Sequence, residues 1–144
     1  MPTPELTRAL LLDTHCWIWM QDGRSEHFSV TAKAAIQRAA RRGSLLLSVI
    51  SIWEVGLLES KGRISLATSC ERWVAEAITV PGLRIAPISP SIALHSTRLP
   101  GDFHADPADR ILVATARIEG ARLLTKDQQI LKYGRETHVS VLSA

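Results

Sequence analysis

The stretch ALLLDT, residues 9–14, decides the fold. Three leucines run together without the alternation of a strand that has one wet face. Such a run suits a strand buried on both faces, and that burial occurs where helices cover a parallel sheet. The run stops at an acid, Asp13. Similar short apolar runs recur as SLLLS at 44–48, LRIAPI at 83–88, ARLLT at 121–125 and HVSVL at 138–142. Helical patterns separate them. A short helix follows the first strand through Trp17 and Trp19, and an alanine-rich helix over 30–42 stops at Gly43. A helix over 51–62 has Ser51 as its cap and Glu54 in its first turn, a capping-box pattern. Another amphipathic helix over 68–79 stops at Pro81-Gly82, and a short one spans 89–97. LPGDFH at 99–104 has turn chemistry. A helix then runs from Asp106 to Gly120, and a last short one covers 127–134. Strands alternating with helices predict an α/β chain. The expected form is a doubly wound three-layer sandwich, with a mainly parallel central sheet flanked by helices.

The bulk properties agree. The chain has 144 residues, enough for one domain with a real core, and residues 1–9 read as an N-terminal extension to it. Hydrophobic content is 46% and charged content 22%, which argues against disorder. No apolar run is long enough to span a bilayer, and MPTPELTR lacks signal-peptide order, so the expectation is a cytoplasmic protein with no membrane role. Cys16 and Cys70 form no zinc-like cluster and are expected in the core. The net charge of +3 points weakly to a polyanionic partner.

In a doubly wound sheet, sites form outside the carboxyl ends of the strands. Five acids can reach that edge. Asp13 ends the first strand, and Glu54 follows the second. Asp106 and Asp109 open the helix before the fourth strand, in HADPADRILVATA at 104–116, and Asp127 follows the fourth strand. Each has a bland explanation. Asp106 with Pro107 is a good helix start, and Asp109 falls where an acid can reach back to a free amide. Ile111, Ala114, Thr115 and Ile118 would then form the inward face. Convergence changes the odds, because gathered carboxylates repel unless a cation sits among them. Carboxylates without histidine or thiolate neighbours suit Mg²⁺, with Mn²⁺ as a substitute, rather than zinc. Such a cation suits reactions at phosphate.

LLLDTHCWIW, SVISIWEVGLLESKGRI, HADPADRILVATA and LLTKDQQILKYG occur in this order. Together they resemble the PIN-domain ribonucleases, specifically the VapC toxins of prokaryotic toxin–antitoxin pairs, over nearly the whole chain. The resemblance implies a PIN-like fold and an Mg²⁺-dependent endoribonuclease. Asp13, Glu54, Asp109 and Asp127 would be the catalytic, metal-holding acids. Asp106 belongs to the same signature, and whether it ligates metal or mainly caps its helix stays open. Metal-activated water would hydrolyse RNA phosphodiesters to 5′-phosphate and 3′-hydroxyl ends. Thr14 and Thr125 could orient carboxylates. Arg110 is expected in an internal ion pair ahead of a phosphate contact, and His15 as a partly buried, hydrogen-bonded histidine. Family likeness also implies a homodimer and a VapB-like antitoxin, in a toxin–antitoxin hetero-oligomer. Trp17 and Trp19 are expected at one of those protein surfaces, and Trp53 and Trp73 in packing.

Other readings fit less well. A receiver domain would want paired acids after the first strand and an aspartate ending a central one. A phosphatase with an aspartate nucleophile would want D-x-D where D-T-H stands. A housekeeping RNA-processing or DNA-flap nuclease would share the chemistry, and a non-cutting PIN-like module binding RNA or protein would share the fold. The short chain favours the toxin over the former, and the intact acidic set argues against the latter. Motifs for nucleotide hydrolysis, dinucleotide redox, zinc proteolysis and serine hydrolysis are missing.

Overall fold

The computed structural model describes residues 8–144. Most of the expected N-terminal extension therefore lies outside the described residues. Five strands make one wholly parallel sheet in the order β3-β2-β1-β4-β5. They are β1 (Leu10–Leu12), β2 (Leu45–Ser48), β3 (Leu83–Ala86), β4 (Arg122–Thr125) and β5 (Val141–Ser143). Seven α-helices connect and follow them: α1 (Thr14–Gln21), α2 (Val30–Arg42), α3 (Val49–Ser60), α4 (Cys70–Ala77), α5 (Pro90–Ser96), α6 (Pro107–Glu119) and α7 (Gln128–Arg135). Among the described residues, no helix is long and apolar enough to cross a membrane.

The leucine triplet explains the layering. β1 lies at the centre of the sheet, and all three of its residues are buried. Leu10 and Leu12 face a core with Trp17 of α1, Ala32, Ala35 and Ala39 of α2, Val55 of α3 and Trp73 of α4. Leu11 faces the other core, with Ile92 of α5, Leu112 and Ala116 of α6, and Ile130 and Tyr133 of α7. Side chains alternate between the faces of a strand, so a strand with helices on both sides has no polar position to spare. The predicted three-layer α/β sandwich is the observed one.

Local chemistry sets the ends. Ser29 caps α2 by accepting from the Ala32 amide, and Gly43 ends it at φ 67°. Asp106 caps α6, Pro107 fills the first position, and Gly120 ends it at φ 65°. Gly82 is the most constrained turn. Its φ is +85°, and a Cβ there would lie 1.9 Å from the Ala40 carbonyl oxygen.

Several expectations need correction. α3 starts at Val49 and is capped by Ser48, not Ser51. The last residue of β2 is itself the cap, so no loop separates strand from helix. Ser51 is buried inside the helix and accepts a hydrogen bond from Thr14 Oγ1 at 2.9 Å. Glu54 accordingly falls in the second turn, so it belongs to no capping box. On α6 the buried residues are Ala108, Leu112, Val113, Ala114, Thr115 and Ala116, while Ile118 is 41% exposed. The helix packs against the sheet, α5 and α3, so its inward stripe is broader and rotated from the one predicted. Trp17 lies on no surface: it is fully buried, edge-on to Trp73 at 4.9 Å between ring centroids. Trp53, expected in core or interface packing, is 55% exposed and so lies outside the core.

Candidate active site

The site begins where β1 stops. Asp13 caps α1, and its Oδ1 accepts the Thr14 amide at 2.7 Å. Its Oδ2 accepts from Thr125 Oγ1 at 2.5 Å, and the same Thr125 oxygen accepts the Asp127 amide at 2.9 Å. A continuous hydrogen-bonded path thus joins the ends of the two central strands. Thr14 and Thr125 are fully buried, so both act from behind the carboxylate. Asp127 caps α7, with Oδ1 accepting the amides of Gln129 and Ile130. Asp127 also lines an open cleft. Asp106 Oδ1 accepts the Asp109 amide at 2.9 Å, so the predicted cap forms. The Asp109 carboxylate does not reach back to an amide. Its Oδ2 lies 3.0 Å from His104 Nε2.

These side chains line one open cleft of about 340 Å³, formed by Asp13, His15, Trp19, Glu54, Asp106, Asp109, Lys126 and Asp127. All five acids singled out in the sequence meet there. A larger cavity of about 420 Å³ lies at the opposite edge of the sheet, where Arg8, Arg117 and His138 are among its lining residues and no carboxylate is. The five acids thus gather at the carboxyl edge.

Electrostatics mark the cleft as short of positive charge. Burial, followed by Asp13, Asp106, Asp127 and Glu54, pushes the Asp109 carboxyl up to about 8. Burial also raises Asp13, against the hydrogen bonds from Thr125 and Thr14 that favour its charged form. Carboxylates that resist ionising, first because they are buried and then because other acids stand near, are suited to a divalent cation, which reverses the penalty. His104, Asp109 and Asp127 each bring one ligand atom within 4.8 Å of the others. Asp13, Glu54 and Asp106 face the same cleft outside that close trio. The donor set fits a divalent cation.

Three sequence expectations change here. Arg110 makes no ion pair with the acids. It donates to the carbonyls of Ser96 at 2.8 Å, Phe103 at 3.0 Å and His104 at 3.2 Å, pinning the loop before α6. His15 is exposed at the rim rather than partly buried. The carboxylates are not free of histidine, since His104 touches Asp109. Sequence reasoning assigned no role to His104 or Lys126. The signals were nonetheless present: His104 opens the HADPADR stretch, and Lys126 fills the gap in LLTKD. Trp19, half-buried, lines the same cleft, with Lys126 Nζ 5.9 Å from its ring centroid.

The family model for the PIN domain matches residues 10–136. The chain belongs to the PIN domain family. It is 33% identical over 132 residues to Ribonuclease VapC22 of Mycobacterium tuberculosis (strain ATCC 25618 / H37Rv), covering 92% of this chain and 97% of that one. The PIN domain is thus of the VapC type. Solved structures share its fold at lower identity. VapBC2 from Rickettsia felis, bound to a DNA fragment from its promoter, matches with a TM-score of 0.66 and 16% identity, over 94% of this chain and 98% of that one. DNA-bound VapBC from Salmonella typhimurium matches with a TM-score of 0.65 and 17% identity, over 95% and 98%. FitAcB from Neisseria gonorrhoeae matches with a TM-score of 0.62 and 19% identity, over 92% and 96%.

Proposed function

We propose that this VapC-type PIN domain is a metal-dependent endoribonuclease and the toxin of a toxin–antitoxin pair. The observation that carries the reading is the meeting of Asp13, Glu54, Asp106, Asp109 and Asp127 in one cleft, with Asp109 pushed up to about 8. Likeness to a named VapC ribonuclease over nearly the full length of both chains supports it.

Asp13, Glu54, Asp109 and Asp127 would hold Mg²⁺, with Mn²⁺ able to substitute. When bound, the cation polarises the phosphodiester and makes water a competent nucleophile near neutral pH. The protein's part is positioning. Thr14 and Thr125 hold both Asp13 oxygens, so that carboxylate meets its ligand without reorganising. The α7 amides hold one Asp127 oxygen. Asp106 caps α6 through one oxygen and keeps Asp109 at the cleft. At the rim, Lys126 offers charge to a substrate phosphate. Water attacks the phosphorus in line, leaving 5′-phosphate and 3′-hydroxyl ends. The RNA 2′-hydroxyl takes no part.

The same reading gives the chain a VapB-like antitoxin, a homodimer and a cytoplasmic setting, with residues 1–144 acting as one domain. The fold neighbours from Rickettsia felis and Salmonella typhimurium, which are VapBC structures, support the antitoxin. End analysis of RNA cut in Mg²⁺ tests the mechanism. Products that accept ligation through a 5′-phosphate are expected, and 2′,3′-cyclic phosphate ends would contradict it.

A further inference from the structure

Beside Asp109 stands an imidazole nitrogen that the four-acid reading does not use. His104 Nε2 is shielded from solvent and has no aligned hydrogen-bond partner, although Asp109 Oδ2 lies 3.0 Å away. The ring is not a loose surface group. It packs against Phe103 at 4.5 Å between centroids, and Arg110 ties down the carbonyls of both residues. Leaving a buried imidazole nitrogen unsatisfied is costly, and such groups call for a specific explanation.

The spacing supplies one. Ligand atoms of an octahedral cation at about 2.1 Å stand about 3.0 Å apart when adjacent and about 4.2 Å when opposite. The 3.0 Å contact matches an adjacent pair, and an Asp127 oxygen stands within 4.8 Å of both, a limit slightly wider than an opposite pair, so the trio would contract around an ion. We propose that His104 is a nitrogen ligand of the divalent cation, beside Asp109 and Asp127, and that it biases the site toward Mn²⁺ over Mg²⁺. Imidazole suits transition metals, whereas Mg²⁺ takes oxygen ligands and sheds water reluctantly. The inference rests on the metal-dependent reading above and refines which ion that site selects.

Electron spin echo envelope modulation of Mn²⁺ added to the purified protein tests it without reference to activity. The expected result is ¹⁴N modulation from a bound imidazole, retained in His15→Gln and lost in His104→Gln. Titration should show Mn²⁺ affinity falling at least about 10-fold in His104→Gln, with a smaller change for Mg²⁺. Bound Mn²⁺ without nitrogen modulation overturns His104 as a ligand and leaves the nuclease reading standing. Modulation lost in His15→Gln instead overturns it equally. A wild-type protein that takes up no Mn²⁺ would remove both.

Discussion

Asp109 shows how one residue serves fold and site at once. Its amide is capped by Asp106, while its carboxylate sits among acids that oppose its ionisation. The sign of the resulting pH dependence follows. An unfolded aspartate ionises near its ordinary value of 3.8, whereas in the fold the group reaches about 8. Between those limits the native state holds the extra proton, so stability without metal falls as pH rises. Melting temperatures in EDTA at pH 5 and pH 8 should therefore drop more for the wild type than for Asp109→Asn. Equal drops would show that the crowding is not felt at this residue. Asp13, Asp109 and Asp127 were readable as acids at element ends. The contact between His104 and Asp109 was not, because it depends on how an irregular loop turns a side chain.

At the scale of elements, capping chemistry was legible and its offsets were not. Asp106-Pro107 and Gly120 bound α6 as the sequence implies. For α3 both Ser48 and Ser51 look like caps, and only packing decides between them. Ser51 is needed inside, opposite Thr14, and that moves Glu54 into the second turn. The inward face of α6 shifted for a related reason, since three neighbours, α5, α3 and β4, define what is buried. Gly82, just before β3, meets β2 and α2 through backbone alone. Its carbonyl accepts the Leu45 amide at 3.3 Å, and its missing Cβ makes room for Ala40. Gly82→Ala should cost about 2–4 kcal/mol through the clash and the left-handed φ. Urea unfolding would measure it, and a change below about 0.5 kcal/mol would mean that the turn relaxes freely.

For the whole molecule, the α/β class followed from unalternating leucine runs, but the strand order did not. The runs at β1, β2 and β4 are nearly interchangeable in sequence, and nothing local says which is central. Placing β1 between β2 and β4 makes the site possible, because it sets Asp13 beside Thr125 and opposite α3. The acids come from chain segments that only the complete sheet assembles, so cation binding is linked to global folding. Mn²⁺ or Mg²⁺ should raise the melting temperature, by more at pH 8 than at pH 5, and EDTA should reverse it. No shift at millimolar cation would contradict a metal site in the folded chain.

Central to the proposed function is that the acidic cleft cuts RNA through a bound divalent cation. The most direct measurement is cleavage of a total RNA pool by the antitoxin-free protein, with Mg²⁺ or Mn²⁺ and with EDTA, beside Asp13→Asn. Discrete fragments that need the cation and fall at least about 100-fold in Asp13→Asn are predicted. Equal cleavage by both proteins, or none by either while both are folded, would contradict it.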